Sequence, residues 1–168
     1  LQELMQEDGD TDWRGLLAAI ETVCTCLDVP VIAKEVGMGI SVGTAKRLVN
    51  AGVSAIDVAG KGGTNFVEVE AGRTDDPRLR ALGEIFKDWG IATPDAVKAI
   101  RAELPDIPLI ASGGIRHGLD AAKAIKLGAN VIAQAGPILQ AATKSTQAVL
   151  DHFEFMESAL RIGLACSE

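Results

Sequence analysis

Four short runs of apolar residues recur along the chain, at positions 29–34, 54–58, 107–111 and 129–133. Each is nearly continuous instead of alternating with polar residues, which is the pattern of parallel strands covered on both faces. Between the runs, apolar residues return at three- and four-residue spacing over 42–50, 94–103 and 118–127, predicting helices that pack one side on a sheet. A further helix is expected over about 12–27, opened by the capping-type residues Asp10 and Thr11. A last one is expected over roughly 143–164. Strands alternating with helices make βαβ units and a parallel α/β sheet.

An internal echo sharpens the picture. Thr44-Ala-Lys-Arg-Leu-Val-Asn-Ala-Gly52 precedes Ser54-Ala-Ile-Asp-Val-Ala-Gly60, and Asp120-Ala-Ala-Lys-Ala-Ile-Lys-Leu-Gly128 precedes Asn130-Val-Ile-Ala-Gln-Ala-Gly136. Helix, glycine turn and strand fall at the same offsets in both copies. Repeated modules of this kind are expected in a (β/α)8 barrel of the TIM type, here about half of one with parallel strands. A flavodoxin-like open sheet alternates in the same way, and periodicity alone does not separate the two. One stretch breaks the rhythm. Residues 60–89 are polar, glycine-rich and charged, with no strand and only a weak helical pattern. So long a connection is usually functional, and it follows the C-terminal end of a strand, where barrels carry their active-site loops.

Composition narrows the function classes. The 168 residues, 48% hydrophobic, suffice for a single domain with a real core and exclude a disordered chain. No apolar stretch approaches the roughly 18–20 residues of a membrane span. The net charge of −7 argues against a nucleic-acid partner, which requires a basic face. Three cysteines, Cys24, Cys26 and Cys166, fit structural thiols in a reducing cytosol, and no zinc-type ligand cluster accompanies them. The start at Leu1-Gln2-Glu3 and the stop at Cys166-Ser167-Glu168 read as cuts through a longer polypeptide, so 1–168 is expected to be one partial domain.

The candidate chemistry lies in the loops after the strands. Ser112-Gly113-Gly114-Ile115-Arg116 follows the third run and precedes a helix, where two glycines let backbone amides turn toward an anion. Gln134-Ala135-Gly136-Pro137 follows the fourth run with small residues that a ligand can approach. Loops after the last two strands of a barrel commonly hold a phosphate. Gly60-Lys61-Gly62-Gly63-Thr64-Asn65 is a third glycine-rich loop, read either as a ligand contact or as a flexible turn. Lys34 ends an otherwise apolar run and either points its ammonium into the barrel mouth, pairs with Glu35 or reaches solvent. His117 and His152 read as capping or solvated side chains, and no Ser, Cys or His spacing suggests nucleophilic catalysis.

Four strings in order, Pro30-Val-Ile-Ala-Lys-Glu-Val-Gly37-Met-Gly-Ile-Ser41, Ile56-Asp-Val-Ala-Gly-Lys-Gly-Gly-Thr-Asn65, Asp88-Trp-Gly-Ile-Ala-Thr93 and Ser112-Gly-Gly-Ile-Arg-His-Gly118, resemble the type 2, FMN-dependent isopentenyl-diphosphate delta-isomerases. The resemblance covers essentially the whole chain and about the C-terminal half of the family's length. It implies a 1,3-allylic proton shift between isopentenyl and dimethylallyl diphosphate in isoprenoid biosynthesis, with no catalytic residue beyond the flavin. Reduced FMN would act as the acid–base group, with NADPH as reductant and magnesium on the diphosphate.

Carried over residue by residue, the resemblance makes Gln2 a substrate contact and Glu3 the magnesium ligand, from a match to a His-Leu-Asn-x-x-Gln-Glu segment. Gln6-Glu7 is then a decoy pair. Lys34 would face the flavin ring, Ala59 and Thr64 would contact FMN, and Gly114, Ile115, Arg116, Ala135 and Gly136 would cradle its phosphate. The family often has serine where Ala59 stands and proline where Ala92 stands. The resemblance further implies a cytoplasmic homo-oligomer acting on a small diphosphate. Two alternatives are an FMN-dependent 2-hydroxy acid oxidase and a non-catalytic phosphate-binding half-barrel. The oxidases place a general-base histidine where Lys61 stands here.

Overall fold

The computed structural model describes residues 1–6 and 8–167, so Glu7 of the Gln6-Glu7 pair lies outside the described residues. After a 3-10 turn at Glu3–Met5 come α1 (Leu16–Cys26), β1 (Ile32–Lys34), α2 (Val42–Asn50) and β2 (Ala55–Asp57). Then follow α3 (Phe66–Arg73), α4 (Pro77–Phe86), α5 (Thr93–Glu103), β3 (Leu109–Ala111) and α6 (Gly118–Lys126). The chain closes with β4 (Val131–Ile132), α7 (Gly136–Ala142) and α8 (Thr146–Ala165).

The four strands are parallel and lie in sequence order, β1-β2-β3-β4. Ile32 stands opposite Ala55, Ile56 opposite Leu109 and Ile110 opposite Val131. A doubly wound sheet reverses strand order at a switch point, whereas a barrel adds each strand beside the last. The unreversed order therefore decides for the barrel arc. Parallel strands in one arc bring all the strand-to-helix loops to one rim.

The core forms where the helices pack on the central strands. Ile56 and Leu109 are fully buried beside Val58, Ala96, Val97 and Ile100, with Ala45, Ala121 and Ala124 letting α2 and α6 approach closely. The outer strands are different. Ile32 of β1 and Val131 of β4 are about half exposed, and α1 and α8 present Leu16, Leu17, Phe153, Phe155 and Ile162 to solvent. Two sheet edges thus stay unpaired, as expected for half a barrel. Among the described residues no helix is long and apolar enough to cross a membrane.

Two expectations change and one helix is added. The stretch 60–89 is not loop-like, because it holds α3 and α4. The Asn65 side chain accepts from the Val67 and Glu68 amides, and Asp76 accepts from the Arg78 amide ahead of Pro77 at the first helical position. Apolar spacing there is weak, so the caps were the readable signal. The first helix starts at Leu16 instead of 12, after Gly15 at φ 78°, because Asp10 and Asp12 cap turns upstream: Asp10 accepts from the Asp12 amide and Asp12 from the Arg14 amide. The final helix expected over roughly 143–164 is α8, opened by Ser145 accepting from the Ala148 amide, and α7 ahead of it is a helix the sequence reading did not assign.

Candidate functional site

The site is built at the C-terminal rim of the sheet, and its framework is backbone. A buried carboxylate sits beneath it. Asp57 ends β2 at 4% exposure, where its Oδ1 accepts the Ser112 hydroxyl at 2.6 Å and the Ala59 amide at 3.2 Å. It thereby joins the ends of β2 and β3 and supports Ala59 at φ 35°, a left-handed conformation that a residue with a Cβ adopts only under restraint. The Thr93 hydroxyl, also buried, donates toward the Ser112 and Gly113 carbonyls at 2.8 and 2.7 Å. Asp57 and Thr93 received no role from the sequence. A carboxylate inside an otherwise apolar buried run was the signal for Asp57.

Above this base, two glycine loops lie against each other. A Cβ on Gly113 would fall 2.1 Å from the Gly60 carbonyl oxygen, and one on Gly114 would fall 2.7 Å from that of Gly62. Both glycines also have positive φ, 90° and 77°. Their smallness therefore serves loop-on-loop packing first, not only a ligand's approach as the sequence suggested. Gly136 is different, since a Cβ there meets nothing within 4 Å.

The third wall comes from the loop after β1. The Glu35 carboxylate accepts the amides of Gly37, Met38 and Gly39, a tight turn wrapped around one oxygen. The Glu35 carboxylate is thus not paired with Lys34, whose Nζ donates instead to the Glu35 backbone carbonyl at 2.8 Å. The 88–92 segment closes over this turn through an Ile91 amide to Met38 carbonyl bond of 2.8 Å. Lys61 ties to the same segment through the Asp88 carbonyl at 2.9 Å.

Together these loops enclose a cavity of about 440 Å³. That volume lies within the usual range of small-molecule sites, about 300–1,000 Å³. Lys34, Ala59, Thr64, Gly114, Ile115, Arg116, Ala135 and Gly136, the residues assigned to a cofactor from the sequence, all border it. Val36, Phe66 and Gln134 border it as well and were not assigned. No protein acceptor for the Gly114, Ile115 or Gly136 amide appears among the described residues, whereas the Arg116 amide is held by Asp120 Oδ2 at 3.1 Å. The Arg116 side chain is exposed and lies 3.6 Å from the same carboxylate. Amide donors, small residues and two cations on one rim suit an anionic ligand.

Gln2 and Glu3 are not brought to this cavity. The Gln2 and Gln6 amides donate to Glu70 Oε1 on α3 at 3.3 and 2.9 Å, and Glu3 Oε2 accepts the Asp10 amide at 3.1 Å. The Gln6 hydrogen bond, then Gln2 and Arg73, hold the Glu70 carboxyl below the usual carboxylate range. Among the described residues no group of three His, Cys, Asp or Glu could hold a metal ion. His117 caps α6 by accepting the Asp120 amide at 3.3 Å. His152 is half-buried, against the sequence reading of a solvated side chain, and meets Gln134. The cysteines are free thiols.

The chain is 55% identical over 167 residues to the isopentenyl-diphosphate delta-isomerase of Stutzerimonas stutzeri, covering 99% of this chain and 48% of that protein. It is 55% identical over 166 residues to the enzyme of the same name from Vibrio parahaemolyticus, at 99% and 48% coverage. It therefore spans about half the length of these relatives. Among solved structures it resembles a mandelate oxidase variant with (S)-mandelic acid, at a TM-score of 0.65 and 23% identity, covering 89% of this chain and 38% of that one. That likeness supports the barrel fold alone. A family model for FMN-dependent dehydrogenases matches residues 3–167, and the chain belongs to that family.

Proposed function

We propose that the cavity binds FMN, and that the protein carrying this chain interconverts isopentenyl and dimethylallyl diphosphate. One observation supports this most. All eight residues assigned to FMN from the sequence, drawn from the ends of four strands, border a single cavity. The residues present fit the group: Gly114 and Ile115 offer amides to a phosphate, Gly136 leaves its approach open, and Lys34 supplies a cation on the opposite wall.

When bound, reduced FMN would supply the acid–base group for the allylic proton shift. The chain's own residues have other work. Gly114, Ile115, Ala135 and Gly136 hold the phosphate end, with Arg116 adding positive charge. Lys34, at the end of β1, stabilises negative charge on the ring end. Val36 and Phe66 provide apolar walls beside it. Positioning and electrostatics are thus the protein's share of the chemistry. In this reading NADPH is the reductant and the protein is a cytoplasmic homo-oligomer, as the sequence resemblance implies, with three free thiols in keeping with a reducing compartment.

Magnesium stands apart. Its assignment to Glu3 rests on sequence resemblance alone. Glu3 holds a backbone amide, Gln2 is engaged by Glu70, and neither borders the cavity.

The oxidase alternative lacks a base. Lys61 stands at the histidine position of those enzymes and is bound to Asp88, and neither His117 nor His152 borders the cavity. The test of the proposal is flavin titration and isomerase assay of the full-length protein, with Lys34→Met beside wild type. Wild type should bind FMN and isomerise. Lys34→Met should retain FMN but make it harder to reduce, seen as a more negative reduction potential. An unchanged reduction potential would remove Lys34 from the ring.

A further inference from the structure

Gln134 makes a contact that the cofactor reading leaves unused. It borders the cavity, and its Nε2 donates to the Ile115 carbonyl at 2.9 Å. With the nitrogen so committed, Oε1 faces α8, where His152 Nε2 lies at 2.9 Å. An amide oxygen accepts only, so His152 Nε2 carries a proton and donates. Met156, one turn further along α8, lies with its Sδ 3.5 Å from the Gln134 nitrogen. Neither His152 nor Met156 borders the cavity.

The other side of the same peptide unit is also held. The Ile115 carbonyl belongs to the Ile115–Arg116 peptide, and the Arg116 amide of that peptide donates to Asp120 Oδ2 at 3.1 Å. The unit is thus pinned at both ends, by Gln134 and by Asp120. Immediately before it come two glycines at positive φ, the residues with most conformational freedom. Fixing the peptide after them limits where the Gly114 and Ile115 amides point. The mount on α8 is rigid. A Cβ on Gly118, the first residue of α6, would fall 2.2 Å from the Leu160 amide nitrogen, so α8 packs backbone-close to the helix that this loop enters.

We infer that His152 is a positioning residue for phosphate binding: acting through Gln134, it holds the Ile115 peptide so that the Gly114 and Ile115 amides face the cavity. The inference rests on the cavity being the FMN site. It assigns no contact between His152 and the cofactor.

FMN and riboflavin share a ring and differ in the phosphate, so the ratio of their affinities isolates the phosphate's share. Both would be titrated by flavin fluorescence into the full-length protein. In wild type FMN should bind the tighter. His152→Leu should narrow the ratio about five- to tenfold, the effect of one lost hydrogen bond, and leave riboflavin within about twofold. His152→Gln, which can place an amide N–H near the Nε2 position, should restore most of the ratio. Gln134→Leu severs the same link from the other end and should narrow the ratio alike, which covers the case in which His152→Leu does not fold. An equal loss of FMN and riboflavin affinity, or no loss, would overturn the positioning role and leave the cofactor reading intact. A wild-type ratio near one would instead overturn the phosphate site itself.

Discussion

The two copies of the helix–glycine–strand module begin alike and end differently. In the first, the Gly52 amide donates to Val49 and the Val53 amide to Leu48, at 3.0 and 3.1 Å. In the second, Gly128 donates to Ile125 and Ala129 to Ala124, at 2.9 and 3.1 Å. This is the same left-handed glycine cap, with φ 94° and 115°. Even the next bond repeats, Ser54 to Val31 and Asn130 to Leu109, both 2.8 Å. Beyond the strands the copies part. Ala59 sits at φ 35° but its counterpart Ala135 at −128°, and buried Asp57 corresponds to Ala133, which lines the cavity. A Cβ on Gly60 would strike Thr93 at 2.5 Å, while one on Gly136 meets nothing. β2 has a neighbour on each side, β4 on one only. The lesson is that turn glycines answer to the local chain, and loop glycines answer to whatever packs above them.

The contrast can be broken at its tightest point. Gly113→Ala adds a Cβ 2.1 Å from the Gly60 carbonyl at a residue with φ 90°. It should cost at least about 2 kcal/mol, seen as a clear fall in the urea midpoint. Gly136→Ala, in the loop of the second copy, should leave that midpoint unchanged and weaken FMN alone. Equal destabilisation by the two would erase the distinction between packed and open loops.

Giving the first module the residue of the second is the next largest change. Asp57→Ala leaves the Ser112 hydroxyl and the Ala59 amide without their acceptor in a buried place. A loss of about 1–3 kcal/mol is expected by denaturant unfolding. Stability equal to wild type would mean that the loops hold each other without the carboxylate.

The smallest effect concerns the helices that carry the modules. Lys46 of α2 meets Glu103 at the end of α5, and that hydrogen bond and charge hold the Glu103 carboxyl below its ordinary value. A carboxyl with a lowered pKa in the folded state stabilises above its unfolded pKa, and the gain fades as pH falls through the folded one. Between about pH 7 and pH 3, wild type should therefore lose slightly more melting temperature than Glu103→Gln. An identical loss would show that the exposed pair contributes nothing.

Much of the fold was legible because burial on both faces leaves a run of apolar residues that no loop imitates. The central strands matched their runs, since Ile56 and Leu109 are fully buried. The 60–89 stretch misled because α3 and α4 carry few apolar residues at regular spacing, although Asn65 and Asp76-Pro77 marked where they begin. At the site, the eight residues assigned to a cofactor by resemblance come from four loops and border one cavity. Gln2 and Glu3 were placed by motif, a local signal that does not say which surface a short turn docks on.

What the sequence by itself determined is the set of local choices: which segments are strands, which are helices, and where glycine caps end them. These follow from periodicity and backbone preference within about a dozen residues. Only the tertiary structure decided that Gly113 lies on Gly60, that Asp57 reaches Ser112, and that His152 meets Gln134. The physical reason is distance along the chain. These partners are far apart in sequence: the first two contacts exist because parallel strands in register bring their C-terminal ends to one rim, and the third because α8 packs against α6.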